Sequence, residues 1–299
     1  MELFSEEQTS IVIVGGINNP SVEVLGDKNC SLPQFPFAMT IAPSLILTNN
    51  NEILSCGGAE DTIKQCYVLK GDKWVQHSEL LKERYHSSAV TMPNGVYIFG
   101  GEGSAYKSEF LPNGSNTWQE GPEIQGSGIT HGCIAKLSDT EIILIGSKTD
   151  MEMIKKYNFE TQEWTDLGKL IQKRHAHACA VVNGEIIVAG GISYGEGPNG
   201  GNYLTSTLVI PIADPTNLRI VGPLNEVRGY FGMAMVHVNN TSTLIAFGGT
   251  FKDNDGWEYR DSVEIWNPDT ESWILSPDLK LSEERAYFGH LSVPSNLLC

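Results

Sequence analysis

The sequence predicts an all-β fold, a six-bladed β-propeller made of four-stranded antiparallel blades. An apolar run that ends in a glycine pair recurs, with its second glycine at positions 16, 58, 101, 191 and 249. An aromatic residue followed by a tryptophan recurs in phase with it. The 31 glycines also suit a chain of many short strands joined by turns.

The spacing of the glycine pairs defines six units. The first two steps are 42 and 43 residues, and the step of 90 residues from 101 to 191 spans two units. The gap holds a sixth copy, 142–147, in which serine replaces the second glycine. A repeat of this length is typical of propellers and solenoids. We therefore predict one domain over 1–299, with blades at 11–37 plus 285–294, 38–80, 84–122, 129–168, 174–222 and 228–279.

The third unit shows the predicted order of strands. A short apolar strand, 86–92, is followed by the turn 93–95, in which Gly95 is free to take a positive φ. The second strand, 96–99, ends at the glycine pair, where a tight turn or a close approach excludes a Cβ atom. The third strand passes through Phe110 and the fourth begins near Trp118. Strands this short with frequent turns indicate an all-β architecture.

The aromatic pairs fall on the outer strands of the units. They are Tyr67 and Trp74, Tyr157 and Trp164, and Trp266 and Trp273, each seven residues apart, and Phe110 and Trp118, eight apart. We expect them to pack between neighbouring sheets, where a propeller needs bulky side chains.

This motif of glycine pair, aromatic residue and tryptophan resembles the kelch repeat, and the resemblance covers essentially the whole chain. Three units depart from it. The fourth has Gly146-Ser147, the fifth lacks the aromatic pair, and the first lacks the tryptophan. The resemblance implies a protein-interaction module, of the kind found in substrate receptors of ubiquitin ligases and in cytoskeletal factors. Fold analogy alone does not choose between those roles.

The two ends of the chain are expected to share one blade. The first unit begins at a second strand, 11–16, and the segment 285–293 closely matches the first-strand segment 228–233. The C-terminal strand should therefore complete the N-terminal blade and close the ring, which removes two free sheet edges.

The resemblance places the partner site on the face that carries the loops 192–203 and 250–261, because binding residues usually lie on loops held by a rigid scaffold. Arginine, tyrosine and tryptophan are typical of interaction hot spots. The candidate partner-binding residues are Arg84, Tyr85, Arg174, Tyr194, Arg228, Tyr230, Trp257, Tyr259, Arg260, Arg285 and Tyr287. An alternative for the arginines is a structural role, in which each pairs with a neighbouring blade.

The charge of the chain excludes some partners. Its net charge of -16 disfavours binding to nucleic acid or anionic membranes. Apolar runs stay below the ~20 residues needed to span a bilayer. We expect a monomer without a cofactor. The N-terminus lacks the features of a signal peptide, which predicts a cytoplasmic protein, or an extracellular one if a leader is missing. Sequons at Asn29, Asn113 and Asn239 favour the second alternative.

The cysteines and histidines leave two further alternatives. Cys56 and Cys66 would face each other in a hairpin, either as a disulfide or as two buried thiols. The pairs His131/Cys133 and His177/Cys179 supply zinc ligand types, and His86 and His290 occupy similar places. Since their spacing does not match known zinc motifs and histidine is common at this place in kelch units, we predict no metal site.

Catalytic motifs are absent from the sequence, which contains no nucleophile elbow, zinc-protease helix or phosphate-binding loop. We therefore predict a non-enzymatic protein-interaction module. The alternative is a carbohydrate-active enzyme or lectin with its site at the mouth of the channel. A titratable cluster with shifted pKa values in the channel would favour the alternative, and an aromatic and arginine rim would favour the interaction module.

Overall fold

The computed structural model describes residues 8–17, 21–26, 30–37, 40–60, 63–194, 201–238 and 241–298. These residues form six antiparallel blade sheets that follow one another along the chain, together with three short two-stranded sheets. The innermost strand of each sheet contacts the innermost strands of both neighbouring sheets, so the sheets form a closed ring. The six-bladed β-propeller predicted from the sequence is confirmed.

The first four blades take up the chain to residue 169. The first contains β1 (Thr9–Val14) and β2 (Val22–Leu25). The second follows β3 (Thr40–Ile41) and contains β4 (Ser44–Leu47), β5 (Ile53–Cys56), the short β6 (Ala59–Glu60) that pairs with β3, β7 (Gln65–Lys70) and β8 (Lys73–Glu79). The third contains β9 (Ser88–Met92), β10 (Gly95–Phe99), β11 (Ser108–Pro112) and β12 (Gln119–Glu120). The fourth contains β13 (Cys133–Lys136), β14 (Glu141–Ile145), β15 (Met153–Asn158) and β16 (Glu163–Lys169).

The fifth and sixth blades each carry an extra hairpin between their second and third strands. The fifth contains β17 (Ala178–Val182), β18 (Glu185–Ala189), the hairpin β19 (Ile192–Ser193) and β20 (Asn202–Tyr203), then β21 (Thr207–Pro211) and β22 (Arg219–Val221). The sixth contains β23 (Gly232–Val238), β24 (Thr241–Phe247), the hairpin β25 (Thr250–Lys252) and β26 (Trp257–Tyr259), then β27 (Ser262–Asn267) and β28 (Ser272–Lys280). The chain ends with β29 (Gly289–Pro294) and a short 3-10 helix, Ser295–Leu297.

The last strand closes the ring. Strand β29 pairs antiparallel with β1 over six residue pairs, from Thr9 opposite Pro294 to Val14 opposite Gly289. Among the described residues the first blade therefore has three strands, in the order β2–β1–β29, and the other five have four. This is the closure that the two ends of the sequence predicted.

The tryptophans of the repeat lie between blades, as the sequence predicted. Each indole N–H donates a hydrogen bond to the preceding unit, and the acceptors are the Pro33 carbonyl for Trp74 (3.1 Å), the Ser78 hydroxyl for Trp118 (3.0 Å), the Glu123 carbonyl for Trp164 (2.9 Å) and the Thr207 hydroxyl for Trp273 (2.9 Å). Trp74, Trp118 and Trp273 are buried at a blade boundary and Trp164 is partly buried there, and each indole satisfies its one polar atom.

The glycine pairs exist because neighbouring blades approach closely at this point. Gly100 has φ 64°, and a Cβ atom there would overlap the carbonyl oxygen of Ile129 in the next blade. A Cβ atom on Gly190 would lie 2.7 Å from the carbonyl oxygen of Arg228, again in the next blade. The second glycine extends the contact, since the Gly101 N–H donates to the Ile129 carbonyl at 2.9 Å. The glycines are therefore architectural and do not form a ligand-binding loop.

Gly100→Ala is expected to destabilise the ring far more than Gly71→Ala. Both glycines are left-handed, with φ 64° and 60°, but nothing lies within 4 Å of a Cβ atom at Gly71. The backbone alone costs alanine about 1–2 kcal/mol at either site. The overlap with Ile129 should cost Gly100→Ala about 1–3 kcal/mol more. Urea unfolding of both variants measures the difference, and equal losses would contradict the close approach.

Candidate functional site

Six residues, one from each blade, encircle the channel where the innermost strands begin. This inner ring consists of Ala42, His86, His131, Ala176, Tyr230 and Tyr287. Each has a left-handed backbone, with φ between 51° and 60°. Each backbone N–H donates to the carbonyl oxygen of the ring residue in the preceding blade, at N···O distances of 2.6–3.3 Å. Left-handed backbone costs a non-glycine residue about 1–2 kcal/mol, so these mutual hydrogen bonds maintain a conformation that each residue alone disfavours.

The four large side chains of the inner ring meet over the channel axis. We call His86, His131, Tyr230 and Tyr287 the mouth cluster. The rings of His86 and His131 stack with centroids 3.9 Å apart, and so do those of Tyr230 and Tyr287. His86 also lies 5.5 Å from Tyr230, although their blades stand on opposite sides of the ring. Residues from all six innermost strands line a cavity of about 260 Å³ in the channel.

The titratable groups of the mouth cluster are neutral at physiological pH. Burial lowers the pKa of His86 to about 3 and lowers the pKa of His131 as well. Burial raises the pKa of Tyr230 to about 12 and also raises the pKa of Tyr287. A titratable cluster with shifted pKa values is therefore present in the channel. The pKa values of these imidazoles and phenols are, however, shifted away from neutral pH. Such groups are better suited to hydrogen bonding and stacking than to proton transfer.

An ion pair lies beside the mouth cluster and joins two blades. Lys148 Nζ lies 3.0 Å from Glu102 Oε1, and the same carboxylate oxygen lies 3.6 Å from His131 Nδ1. The hydrogen bond to Glu102 raises the pKa of Lys148. Both side chains are partly exposed. A pair of this kind contributes little to stability, so its two charged groups are free to exchange partners with a bound molecule.

The two extra hairpins stand on the same end of the ring as the mouth cluster, and we call this end the hairpin face. Tyr194 follows β19, and its ring lies 5.0 Å from that of His175. The Trp257 ring on β26 meets the edge of Tyr203 on β20 at 6.5 Å. Tyr194 and Trp257 are each 48% exposed. The hairpins thus extend an aromatic surface from the channel mouth to the rim.

Four of the predicted binding residues are buried, and that part of the prediction is wrong. Arg84, Arg174, Arg228 and Arg285 are 0% exposed and cannot contact a partner. In three of them Nη1 donates to the first glycine carbonyl of the arginine's own blade, which is Gly100 for Arg84, Gly190 for Arg174 and Gly248 for Arg228. The arginines therefore have the structural role left open as the alternative, but their side chains pair within their own blade, and only their backbone carbonyls contact the neighbouring one, as Arg228 does with Gly191.

Carboxylates on the third strands, two of them buried and one partly buried, neutralise three of these arginines. Glu109 binds Arg84 at 2.6 Å, Glu264 binds Arg228 at 3.1 Å, and Glu23 binds Arg285 at 3.0 Å. The same carboxylates accept backbone N–H groups from the segment that enters the blade, as Glu109 does from Leu81 and Lys82. A glutamate within an apolar strand was the sequence signal that could have revealed these pairs.

The other seven candidates lie on the hairpin face: Tyr85, Tyr194, Tyr230, Trp257, Tyr259, Arg260 and Tyr287. Arg260 is partly buried, with its guanidinium 4.6 Å from the Phe251 ring and 3.3 Å from Glu226. Their role in partner binding stays a prediction. Three residues of this face were not among the candidates predicted from the sequence: Glu102, Lys148 and Tyr203. Glu102 directly follows the glycine pair of its blade.

The cysteines nearest the mouth cluster form a disulfide. Cys133 on β13 and Cys179 on β17 are bonded across the boundary between the fourth and fifth blades, with Cα atoms 6.1 Å apart. Their sulfurs are therefore not available as a thiolate pair for zinc, and the ring of His177 packs against Gly146. The described residues contain no group of three or more side chains suited to hold a metal ion. Cys56 and Cys66, which face each other on β5 and β7, also form a disulfide.

In the ranges that the structure describes, no helix combines the length and the apolar character that crossing a membrane requires.

Comparisons with known proteins support the resemblance to kelch proteins. No family model matches the sequence. Kelch-like protein 23 of Homo sapiens is 24% identical over 193 residues, which cover 60% of this chain and 32% of the relative. Kelch-like protein 36 of Mus musculus is 20% identical over 240 residues, which cover 73% of this chain and 36% of the relative. The chain thus spans about a third of the length of these curated relatives.

Among solved structures, that of YjhT is similar in fold. It superposes with a TM-score of 0.69 at 14% identity, over 86% of this chain and 88% of that one. At this identity the likeness concerns the fold alone. The repeat motif, the closed six-bladed ring and the two sequence similarities together support the resemblance of this chain to the kelch-repeat family.

Proposed function

We propose that this chain is a non-enzymatic protein-interaction module that binds its partner through the hairpin face. One observation carries the proposal. The hairpins of the fifth and sixth blades meet at Tyr203 and Trp257, and they present Tyr194 and Trp257 half exposed beside the channel mouth. Large aromatic side chains held on a rigid scaffold are typical of interaction hot spots, because they bury much area at a low cost in conformational entropy.

The electrostatics of the mouth cluster support a non-enzymatic role. Its imidazoles and phenols are neutral at physiological pH, and general acid–base catalysis needs a group with a pKa near the working pH. The hairpin face therefore offers shape, aromatic area and hydrogen bonds in place of a proton-transfer group. The narrower role of substrate receptor or cytoskeletal factor rests on the resemblance alone. The chain spans only about a third of the length of its Kelch-like relatives, so their whole-protein roles do not transfer to it directly.

The cavity in the channel favours one second candidate, a lectin-like site at the channel mouth. Stacked tyrosines and serine hydroxyls around a cavity of about 260 Å³ fit the flat faces and hydroxyls of a sugar ring. The two candidates use different residues. A protein partner would contact the exposed hairpin aromatics, and a sugar would contact the mouth cluster.

The double variant Tyr194→Ala/Trp257→Ala is expected to lose the partner without losing stability. Each hot-spot aromatic contributes about 2 kcal/mol or more, so the amount of partner recovered by affinity capture should fall at least about 30-fold. The matched control is Ile220→Ala/Ile274→Ala, which removes side chains 64% and 52% exposed on outermost strands. Quantitative mass spectrometry of the captured proteins, with thermal midpoints for both variants, makes the comparison.

Equal capture by the double variant and the wild type would contradict the hairpin face as the binding site. Binding of a glycan array that is abolished by Tyr230→Ala, but not by Trp257→Ala, would instead support the lectin-like candidate.

A further inference from the structure

The described cysteines are all paired. Besides Cys56–Cys66 and Cys133–Cys179, Cys30 is also disulfide-bonded, and the structure holds no free cysteine among the residues it describes. In most organisms the cytosol keeps protein thiols reduced, and disulfides persist in secreted proteins and in the oxidising compartments through which those proteins pass. A chain in which every described cysteine is oxidised is therefore expected in an oxidising compartment and not in the cytosol.

The Cys133–Cys179 disulfide links two neighbouring blades at the channel. The two cysteines are 46 residues apart, about one repeat, and they join the innermost strands of neighbouring blades. Both side chains are partly exposed and line the cavity in the channel. Small thiol reductants therefore have access to this bond, whereas Cys56 and Cys66 are 1% and 0% exposed. In a reducing compartment the accessible pair would be the first to open.

An independent feature points to the same compartment. Asn113 belongs to the sequon Asn113-Gly114-Ser115 and is exposed on a turn, in which the Ser115 N–H donates to the Pro112 carbonyl at 3.0 Å. Its Nδ2 donates one proton to the Pro93 carbonyl at 2.8 Å, and its Oδ1 accepts from Asn49 at 2.8 Å. The second proton on Nδ2 has no acceptor in these bonds, so a sugar can replace it without breaking the turn.

The position of Asn113 is also compatible with partner binding. It follows β11, at the end of the third blade opposite to the hairpin face, beside the turn that joins β9 and β10. A bulky glycan there would leave Tyr194 and Trp257 uncovered. The other sequon asparagines, Asn29, Asn239 and Asn240, lie outside the described residues.

We propose that this protein matures in an oxidising, glycosylating compartment and carries an N-linked glycan on Asn113. The proposal replaces the cytoplasmic expectation. In the reaction the Asn113 amide nitrogen bonds to the anomeric carbon of an oligosaccharide held on a lipid pyrophosphate. The bond from that carbon to the phosphate oxygen breaks, the lipid pyrophosphate leaves with the electron pair, and the amide loses one proton. Each disulfide forms as two thiols transfer two electrons to a protein disulfide oxidant and release two protons.

Peptide mapping of the native protein tests both parts. Material alkylated at lysis is digested without reduction, and its glycans are removed with peptide N-glycosidase in heavy-oxygen water, which converts a glycosylated asparagine into labelled aspartate. We expect a peptide linked through Cys133 and Cys179 and a heavy-oxygen label at residue 113 that appears only when the glycosidase is added, because Asn113-Gly114 can also deamidate spontaneously. The exposed neighbour Asn116 should carry no label. Alkylated thiols at 133 and 179, or an unlabelled Asn113, would overturn the proposal.

A second measurement uses the full chain, directed to secretion from cultured animal cells by an added signal peptide. Asn113→Gln is expected to lose one glycan, seen as a single step of increased mobility in denaturing gels, while Asn116→Gln keeps the wild-type mobility. If Asn113→Gln migrates like the wild type both before and after deglycosylation, the site is not used. Partner capture through the hairpin face should be the same for the wild type and for Asn113→Gln, so this result and the test of the proposed function are independent.

Discussion

Deleting residues 285–299 is expected to abolish folding of the whole ring and not of one blade. The deletion removes β29 and all six of its residue pairs with β1, and it opens the boundary between the first and last blades. It also removes Arg285, Ala286 and Val293, all 0% exposed. Loss of each large buried side chain costs about 2–5 kcal/mol, and a domain is stable by only about 5–15 kcal/mol in total.

Circular dichroism and thermal unfolding check this prediction. The control deletes only residues 1–7, which precede β1 in the sequence, and it should keep a cooperative transition. Adding a synthetic peptide of residues 285–294 to the longer deletion should restore part of the β-sheet signal. A truncated chain that unfolds at the wild-type midpoint would show that β29 does not hold the ring closed.

Glu264→Ala is expected to be the most damaging single substitution, with a loss of about 3–5 kcal/mol. The Glu264 side chain is 0% exposed and lies 3.1 Å from Arg228 Nε. It also accepts the backbone N–H groups of Asn225 and Glu226, at 2.6 and 3.2 Å. Its removal takes one of the carboxylates away from the buried Arg228 guanidinium and leaves two backbone N–H donors without an acceptor. The loss of stability from an unpaired buried group is far larger than the stability that a surface ion pair contributes.

The matched control is Glu185→Ala, which breaks an ion pair at the surface. Glu185 lies 2.7 Å from Arg219, but the two side chains are 34% and 37% exposed. Exposed pairs contribute about 0–1 kcal/mol, so this variant should unfold close to the wild-type urea midpoint. Similar losses for the two variants would contradict the difference in burial. Glu264→Gln should fall between them, since an amide oxygen still accepts hydrogen bonds.

The fold was readable from the sequence because its determinants repeat. The glycine pairs recur where a Cβ atom would strike the next blade, and each tryptophan recurs where a blade boundary needs bulk. Six copies in phase outweigh the departures of single units. The closing strand was predictable for the same reason, because the segment before β29 resembles the segment before β23.

The candidate site was predicted only in part, because burial depends on partners far along the chain. Arg84 and Arg228 are charged, and a charged residue beside a loop normally indicates exposure. Their burial requires Glu109 and Glu264, which lie 25 and 36 residues further on. The left-handed backbone of the inner ring could not be predicted from the sequence either, because tyrosine and alanine do not indicate a positive φ as glycine does.

The Cys133–Cys179 bond was missed for another reason. The sequence places each cysteine two residues after a histidine, which suggested two equivalent His–Cys units. Counted from the inner ring the positions differ, since Cys133 is two residues after His131 and Cys179 is three after Ala176. With this offset the two cysteines bond across the boundary between neighbouring blades. The offset can be recognised only once the residues of the inner ring are known.

In the inner ring the backbone holds the blades together, and the side chains are not needed for that role. Its closed circle of hydrogen bonds is made by backbone atoms alone, so any residue that tolerates the left-handed conformation can maintain it. Alanine, histidine and tyrosine already do so here. The side chains at these six positions can therefore differ without breaking the circle of hydrogen bonds.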